Sequence, residues 1–212
     1  MWKTLLSVLF VFGLNTAIQA ADENQFEAGK QFVELPFPVK TVDASKVEVT
    51  ELFGYPCPHC NSFEPMLAAW EKQQSEEVDF QRVPVVFGRS WEPLARAYYT
   101  AELLNGVEQT HQAMFDAIHL HKKRFKNVED IAAFYAEMGI DKAKFEKTYG
   151  SFAVNTKMNQ GESKVRGYQV DGVPSLVVNG KYRVTAAMAG GHQQMLDVVS
   201  YLVAKEQKLL AE

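Results

Sequence analysis

Two cysteines stand three positions apart, as Cys57 and Cys60, and the rest of the 212-residue chain contains none. In the chain-entropy account, a disulfide stabilises a fold by closing a long loop of the unfolded chain. A bond between Cys57 and Cys60 closes almost no loop, so an inert structural cross-link is a poor explanation for the pair. Cysteines at this spacing favour reversible thiol–disulfide chemistry instead.

The first twenty residues have the features of a secretory signal peptide. Lys3 supplies a positive charge, the run TLLSVLFVFGL is apolar, and small residues surround Ala20. We therefore expect cleavage near Ala20 and an exported, soluble mature protein that can keep a disulfide. An uncleaved membrane anchor is the alternative, although the apolar run is short for a span of about 20 residues.

The composition indicates a globular domain and argues against nucleic acid as a main partner. About 190 residues remain after the predicted leader, which suits one domain, or one domain with an insertion. Hydrophobic residues make up 47% of the chain and include 14 Phe, enough for a sizeable core. The formal charge of −4 has the wrong sign for binding a phosphate backbone.

A strand–helix–strand pattern surrounds the cysteines. Residues 47–53 (VEVTELF) alternate as a strand does, and residues 57–74 have helical spacing that begins at the cysteines. We expect Pro65 to kink this helix. Residues 78–87 predict the next strand, and residues 30–36 predict a short strand before the unit. Parallel strands joined through a helix take a right-handed crossover.

The pattern changes to helices from Trp91 to about Tyr149, where glycine and asparagine separate the segments. The pattern that follows predicts a helix over residues 152–170 and two strands, residues 173–178 and 181–185, joined by a tight turn. A closing amphipathic helix is predicted over residues 192–210. The dipeptide Asn179-Gly180 between the two β-prone runs is typical of a two-residue hairpin.

The motif C-P-H-C at 57–60, at a strand-to-helix junction, resembles the thioredoxin superfamily. The helical block, the G-V-P at 172–174 followed by VNGKY, and the export signal make nearly the whole mature chain similar to the DsbA family of periplasmic thiol oxidases. The resemblance implies an α/β protein with a thioredoxin fold and an inserted all-helical domain. On this basis we expect a signal peptide over residues 1–20. We expect a discontinuous thioredoxin-like domain over residues 21–87 and 156–212, with a helical insertion over residues 88–155.

The activity that the resemblance implies is that of a thiol:disulfide interchange protein. Such an oxidase would donate its Cys57–Cys60 disulfide to reduced, newly exported proteins through a mixed disulfide at Cys57. The family is reoxidised by an inner-membrane quinone reductase of the DsbB type, so the resemblance implies that partner here. We expect a monomer that needs no soluble cofactor and no metal.

The position of the cysteines predicts a division of labour between them. Cys57 stands at the predicted helix N-terminus, where unpaired N–H groups and the helix dipole favour the thiolate and lower the pKa. Pro58 costs little in a first turn, and His59 adds positive potential when it is protonated. Cys60 lies one turn deeper and would act as the resolving thiol. A stabilised thiolate makes the disulfide oxidising, a link known for the DsbA family itself rather than deduced from the spacing.

Pro174 opens a predicted strand, where a proline removes a ladder hydrogen bond and therefore needs a reason. The resemblance implies a cis Val173–Pro174 bond that faces the cysteines. The Val173 backbone would then turn outward, where it could pair with an extended substrate segment. A trans proline at a strand start is the alternative.

Glu51 shares a strand face with apolar residues, six positions before Cys57. Burial there would raise the pKa of its carboxyl group, and Glu51 could exchange a proton with Cys60 as the disulfide cycles. The family's buried acidic residue occupies this spacing. Arg82 on the next strand could pair with Glu51, but the family often has a lysine there, and arginine does not release its proton. An edge Glu51 with a solvated Arg82 is the alternative.

Two other classes of function compete with the oxidase. A reductase or isomerase could use the same fold, although isomerases often dimerise through an added N-terminal domain, for which the short segment before the first strand leaves no room. An exported metal-binding module would need two more ligands beside the cysteines. Among the histidines, His119 and His121 are the most suggestive pair.

Overall fold

The computed structural model describes residues 25–211, so the predicted signal peptide lies outside the described residues. A five-stranded sheet stands at the centre of this part of the chain, with the strand order β1-β5-β4-β2-β3. The strands are β1 (Val33–Glu34), β2 (Val47–Phe53), β3 (Val78–Pro84), β4 (Ser175–Val178) and β5 (Tyr182–Thr185).

The strand that leads to the cysteines, β2, lies inside the sheet with a partner on either side. It runs parallel to β3 and antiparallel to β4, and all seven of its residues are buried. The parallel pair confirms the predicted strand–helix–strand unit. Glu51 is in register with Arg82 of β3, so the alternative of an edge Glu51 is wrong.

Eight helices in the described chain surround the sheet. They are α1 (Pro58–Glu71), α2 (Glu92–Leu103), α3 (Val107–His119), α4 (Val128–Glu137), α5 (Lys142–Tyr149), α6 (Phe152–Gly167), α7 (Ala186–Ala189) and α8 (His192–Leu210). Their order confirms the predicted order of elements, except that the sequence pattern does not predict the four-residue α7. Within residues 25–211, none of the helices combines the length and apolarity needed to cross a bilayer.

The predicted hairpin between β4 and β5 is confirmed. Asn179 and Gly180 have φ values of 48° and 63°, and a type I′ turn requires positive φ at both central residues. The N–H of Lys181 donates to the carbonyl oxygen of Val178 over 2.9 Å and closes the turn. The hairpin therefore sets the register of the two strands that follow Pro174.

Helices cover both faces of the sheet, which explains why β2 is buried throughout. On one face, Phe63 of α1 and Leu202 of α8 pack with Val49. On the opposite face, Leu52 packs with Tyr168, the residue that follows α6. The face that carries Val49 also carries Glu51, so that carboxyl group points toward α1.

The helical block formed by α2 to α5 shares its core with the end of β2. Phe53 and Tyr55 belong to the same buried cluster as Phe115 of α3 and Tyr135 of α4. The predicted boundary between residues 155 and 156 falls inside α6, which packs against both α2 and β3. The division into a thioredoxin-like domain and an insertion stays a prediction.

Candidate active site

Cys57 is the N-cap residue of α1, at the helix start that the sequence predicts. Its φ and ψ are −81° and 117°, and a proline, Pro58, follows in the first turn. The backbone N–H of Cys60 donates to the Cys57 Sγ over 3.4 Å. Both cysteines are free thiols, with exposed fractions of 7% for Cys57 and 0% for Cys60. Cys57 is therefore the cysteine that is open to an attacking thiolate.

The two thiols differ in acidity although they are the same side chain. A hydrogen bond from the Cys60 side chain and the backbone N–H groups of Cys60 and His59 lower the pKa of Cys57 to about 6, against the effect of burial. The charge of His59 acts in the same direction. That same hydrogen bond, followed by burial, raises the pKa of Cys60, and a negative charge on Glu51 acts in the same direction whenever Glu51 is ionised. At neutral pH the pair therefore holds a Cys57 thiolate and a Cys60 thiol.

The loop before β4 brings Val173 and Pro174 to the thiols. The Val173–Pro174 peptide bond is cis, and the Val173 carbonyl oxygen lies 3.5 Å from the Cys57 Sγ, where it accepts a hydrogen bond when Cys57 is protonated. Val173 and Pro174 also line an open groove of about 510 Å³, together with α7, His59 and His192. Val173 thus belongs both to the thiol contact and to the groove.

Charged side chains form a buried cluster beneath α1, with Arg82 between them. The Arg82 Nε is 3.3 Å from Glu51 Oε2, and Nη2 is 3.2 Å from Glu64 Oε1 and 2.7 Å from Glu71 Oε2. The pairing of Arg82 with Glu51, which the sequence leaves open, is therefore present. The alternative of a solvated Arg82 is wrong, because its side chain is 12% exposed.

The two buried carboxyl groups take different protonation states. Burial, and after it the Glu64 carboxylate, raises the pKa of Glu51 well above its usual range despite Arg82. Burial by itself would raise the pKa of Glu64 too, but contacts with His111 and Arg82 hold it below the usual range. Glu51 is therefore the protonated member of the pair. When Glu51 is ionised, its negative charge raises the pKa of Cys60.

Glu64 and His111 complete this cluster, and neither is predicted from the sequence as a member of the site. His111 of α3 places Nε2 at 3.4 Å from Glu64 Oε2 and Nδ1 at 2.9 Å from the Tyr55 hydroxyl. Glu64 stands four residues after Cys60, a spacing that puts both side chains on one helix face, so a local signal existed. His111 comes from the helical block, and no local pattern connects it with the thiols.

Among residues 25–211, the side chains that come together with metal-ligand spacing are Glu51, Glu64 and His111, with ligand atoms within 4.8 Å of one another. Neither cysteine belongs to this group. The guanidinium of Arg82 already places a positive charge against both carboxyl groups of the cluster.

Comparison with known proteins agrees with this arrangement. Residues 74–203 match the model of the DSBA-like thioredoxin domain family. Over 203 residues the chain is 40% identical to the thiol:disulfide interchange protein DsbA of Azotobacter vinelandii and 39% identical to that of Pseudomonas aeruginosa, covering 96% of this chain and 95% and 94% of those proteins. The crystal structure of Pseudomonas aeruginosa DsbA matches with a TM-score of 0.84 at 40% identity, over 88% of this chain and 97% of that one. This chain, with its thioredoxin fold and C-P-H-C motif, belongs to the DsbA family of thiol:disulfide oxidoreductases.

Proposed function

We propose that this chain is a thiol:disulfide oxidase that donates a Cys57–Cys60 disulfide to reduced, newly exported proteins. The observation that carries the proposal is the position of Cys57 at the N-cap of α1, where its Sγ accepts a hydrogen bond from the Cys60 backbone N–H over 3.4 Å and its pKa is lowered. A stabilised thiolate stabilises the reduced protein, so the disulfide is readily given up. Pro58 and His59 belong to the site because they form the helix start that lowers this pKa.

The exchange begins when a substrate thiolate attacks the Sγ of Cys57, the more exposed of the two sulfurs. A bond forms between the substrate sulfur and Cys57, the Cys57–Cys60 bond breaks, and Cys60 leaves with the electron pair as a thiolate. Since the pKa of Cys60 is raised, this thiolate takes up a proton, and we assign that proton to Glu51, a buried carboxyl group of raised pKa whose charge acts on Cys60.

The second half of the reaction releases the oxidised substrate. The second substrate thiolate attacks the substrate sulfur of the mixed disulfide, and Cys57 leaves as a thiolate. A leaving group of low pKa speeds this step, which again favours an acidic Cys57. The substrate has then lost two electrons, and the two cysteines hold them, so the transfer needs no soluble cofactor.

The groove beside the thiols supports binding of an unfolded chain. Val173 and Pro174 line it next to the reactive sulfur, and the backbone of an extended substrate segment can pair with the Val173 backbone there. Recognition through the backbone places little demand on substrate sequence. Substrates of many sequences, sharing only reduced cysteines in extended segments, are therefore expected.

Location and partner belong to the same proposal. The leader pattern, with cleavage near Ala20, and the membership in the DsbA family support a periplasmic, monomeric protein that an inner-membrane quinone reductase of the DsbB type reoxidises. The same membership supports a thioredoxin-like domain over residues 21–87 and 156–212, with residues 88–155 inserted.

The equilibrium of the purified protein with glutathione separates the oxidase from a reductase or isomerase. We expect the Cys57–Cys60 disulfide to be reduced at a far lower proportion of reduced glutathione than the disulfide of thioredoxin, because the Cys57 thiolate is stabilised. A disulfide as hard to reduce as that of thioredoxin would contradict the proposal that the protein is an oxidase. Cys60→Ser is the control, since it should hold one glutathione on Cys57 and form no internal bond.

A further inference from the structure

His111 is a buried titratable group of the helical block for which the exchange reaction described above has no task. It lies on α3 and is 5% exposed. Its ring touches the carboxylate of Glu64, which shares Arg82 with Glu51. Glu64 and Arg82 thus connect His111 with Glu51, the proposed proton donor to Cys60, and a ring nitrogen of His111 lies within 4.8 Å of a Glu51 carboxyl oxygen.

The contacts of the ring decide which nitrogen of neutral His111 carries the proton. Nε2 faces the ionised Glu64 carboxylate, and Nδ1 faces the Tyr55 hydroxyl. A lone pair on Nε2 would repel that carboxylate, so the proton sits on Nε2 and Nδ1 accepts from Tyr55. A second proton can enter at Nδ1 when the Tyr55 hydroxyl turns and accepts, because a hydroxyl both donates and accepts.

The ionisable groups that face His111 come from every element packed against it. They are Glu64 and, farther away, Glu71 from α1, Glu51 from β2 with a carboxyl oxygen within 4.8 Å of a ring nitrogen, Arg82 from β3, Tyr98 from α2, and Tyr55 from the loop before α1. Burial lowers the pKa of His111, while the Glu64 carboxylate raises it. The resting ring is therefore neutral. Without the negative charge of Glu64, the pKa of His111 would be lower still.

The charge of the cluster changes during the reaction. At rest, with Glu51 protonated, the carboxylates of Glu64 and Glu71 oppose the one guanidinium of Arg82, which leaves a net charge of −1. When Glu51 gives its proton to Cys60, the net charge becomes −2 in a largely buried place. An additional negative charge at low dielectric raises the free energy of the cluster unless a positive charge forms beside it.

We infer that His111 is a positioning residue of the thiol–disulfide exchange, which takes up a proton from solvent when Glu51 gives its proton to the Cys60 thiolate. The new N–H bond forms at Nδ1, and the imidazolium, held against Glu64, returns the net charge of the cluster to −1. The inference rests on the proposed function in one respect, the use of Glu51 as the proton donor. It also connects the helical block, through Glu64 and Glu51, with the chemistry of the thiols.

The expected signature is a dependence on pH that packing alone cannot produce. Gln at position 111 keeps an N–H for Glu64 but cannot hold a positive charge. Well above the pKa that His111 has beside an ionised Glu51, neither protein gains a proton, and the wild-type rate divided by the His111→Gln rate is one. As the pH falls this ratio should rise to a plateau, of about tenfold if the ionisation of Glu51 raises the pKa of His111 by one unit.

The test is the reduction of the oxidised full chain by dithiothreitol, followed by stopped-flow fluorescence from about pH 5 to about pH 8, where imidazole titrates. The thiolate fraction of the reagent changes with pH but cancels in the ratio of two variants. His121→Gln, on an exposed histidine outside the site, is the matched control and should give a ratio of one at every pH. A ratio for His111→Gln that is the same at every pH overturns the inference.

Two further variants keep the test decisive. In a Glu51→Gln background no charge arises at position 51, so His111→Gln should change the rate by a factor that does not vary with pH. Tyr55→Phe removes the hydroxyl that accepts from Nδ1 and should lower the plateau, which provides a second folded variant if His111→Gln does not fold. A full plateau in Tyr55→Phe would contradict the protonation at Nδ1.

Dithiothreitol separates this inference from the proposed function, because its reaction needs no unfolded protein. A ratio that depends on pH, combined with failure to oxidise reduced peptides, supports His111 and refutes the oxidase. Normal oxidation of peptides, combined with a ratio of wild-type to His111→Gln rates that does not vary with pH, supports the oxidase and refutes the proposed proton uptake by His111.

Discussion

Single residues of one type acquire opposite properties at this site because their surroundings differ. Cys57 accepts hydrogen bonds at a helix start, whereas Cys60 is fully buried and donates to it. Glu51 and Glu64 differ in the same way, since only Glu64 touches both Arg82 and His111. Each pair thus separates into a charged and a protonated member, which is the arrangement that proton transfer needs.

The acidity of Cys57 predicts how the stability of the reduced protein depends on pH. The pKa of Cys57 is about 6 in the folded protein, against 9.0 as its ordinary value. Between these values the unfolded chain binds more protons, so stability rises with pH and is lost as pH falls through about 6. We expect the free energy of unfolding of the reduced protein to increase by about 1–2 kcal/mol relative to the oxidised protein between about pH 5.5 and 7.5.

Urea unfolding of both redox forms across this range measures the effect. The reduced form should be the more stable one at neutral pH. Reduced Cys57→Ser lacks the titrating thiol and should lack the rise, which separates Cys57 from the buried cluster. A difference that shrinks with rising pH would contradict the thiolate assignment.

At the scale of the elements, the turn between β2 and α1 joins the thiol site to the helical block. The carbonyl oxygen of Gly54 accepts from the Cys57 N–H over 2.9 Å, which fixes the start of α1. A Cβ on Gly54 would lie 2.2 Å from the ring of Trp91, the N-cap residue of α2. Because Gly54 has no Cβ, the ring of Trp91 can pack against the turn, and α2 can begin there.

Gly54→Ala should force Trp91 away and destabilise the protein by about 1–3 kcal/mol, the usual cost of overpacking a buried contact. Urea unfolding monitored by tryptophan fluorescence measures both the stability and the displacement of the ring. Gly88→Ala is the matched control, since no atom lies within 4 Å of a Cβ built there. Equal stability of the two variants would show that Trp91 does not press on the turn.

At the scale of the whole molecule, the helical block and the sheet behave as one packed body. Phe53 at the end of β2 shares a buried cluster with Phe115 and Tyr135 of the block. The charged cluster draws its members from β2, β3, α1 and α3. A core that is shared in this way makes separate unfolding of either part costly.

We therefore expect the block and the sheet to unfold in one cooperative transition. Trp70 lies in α1 against Ser200 of α8, and Trp91 lies at the start of the block, so Trp70→Phe and Trp91→Phe variants report the two parts separately. Their fluorescence transitions in urea should coincide with each other and with the loss of helical circular dichroism. An early transition confined to the variant that retains Trp91 would show a block that unfolds alone.

Much of the fold is readable from the sequence because the signals are local. The alternation in β2, the helix that starts at Cys57 and the turn at Asn179-Gly180 each depend on neighbours within a few residues. Boundaries are less well determined, since α1 ends at Glu71 rather than at residue 74, and the short α7 has no clear pattern.

The sequence by itself determined the reactive pair, its helix start and a carboxyl group on the face toward it. Only the tertiary structure decided which groups surround that carboxyl group: Glu64 from the same helix as the cysteines, Arg82 shared among three acids, and His111 from the helical block. The physical reason is that a pKa depends on burial and on charges a few ångströms away. Those charges come from elements far apart in the chain, and no local pattern of residues records that they meet.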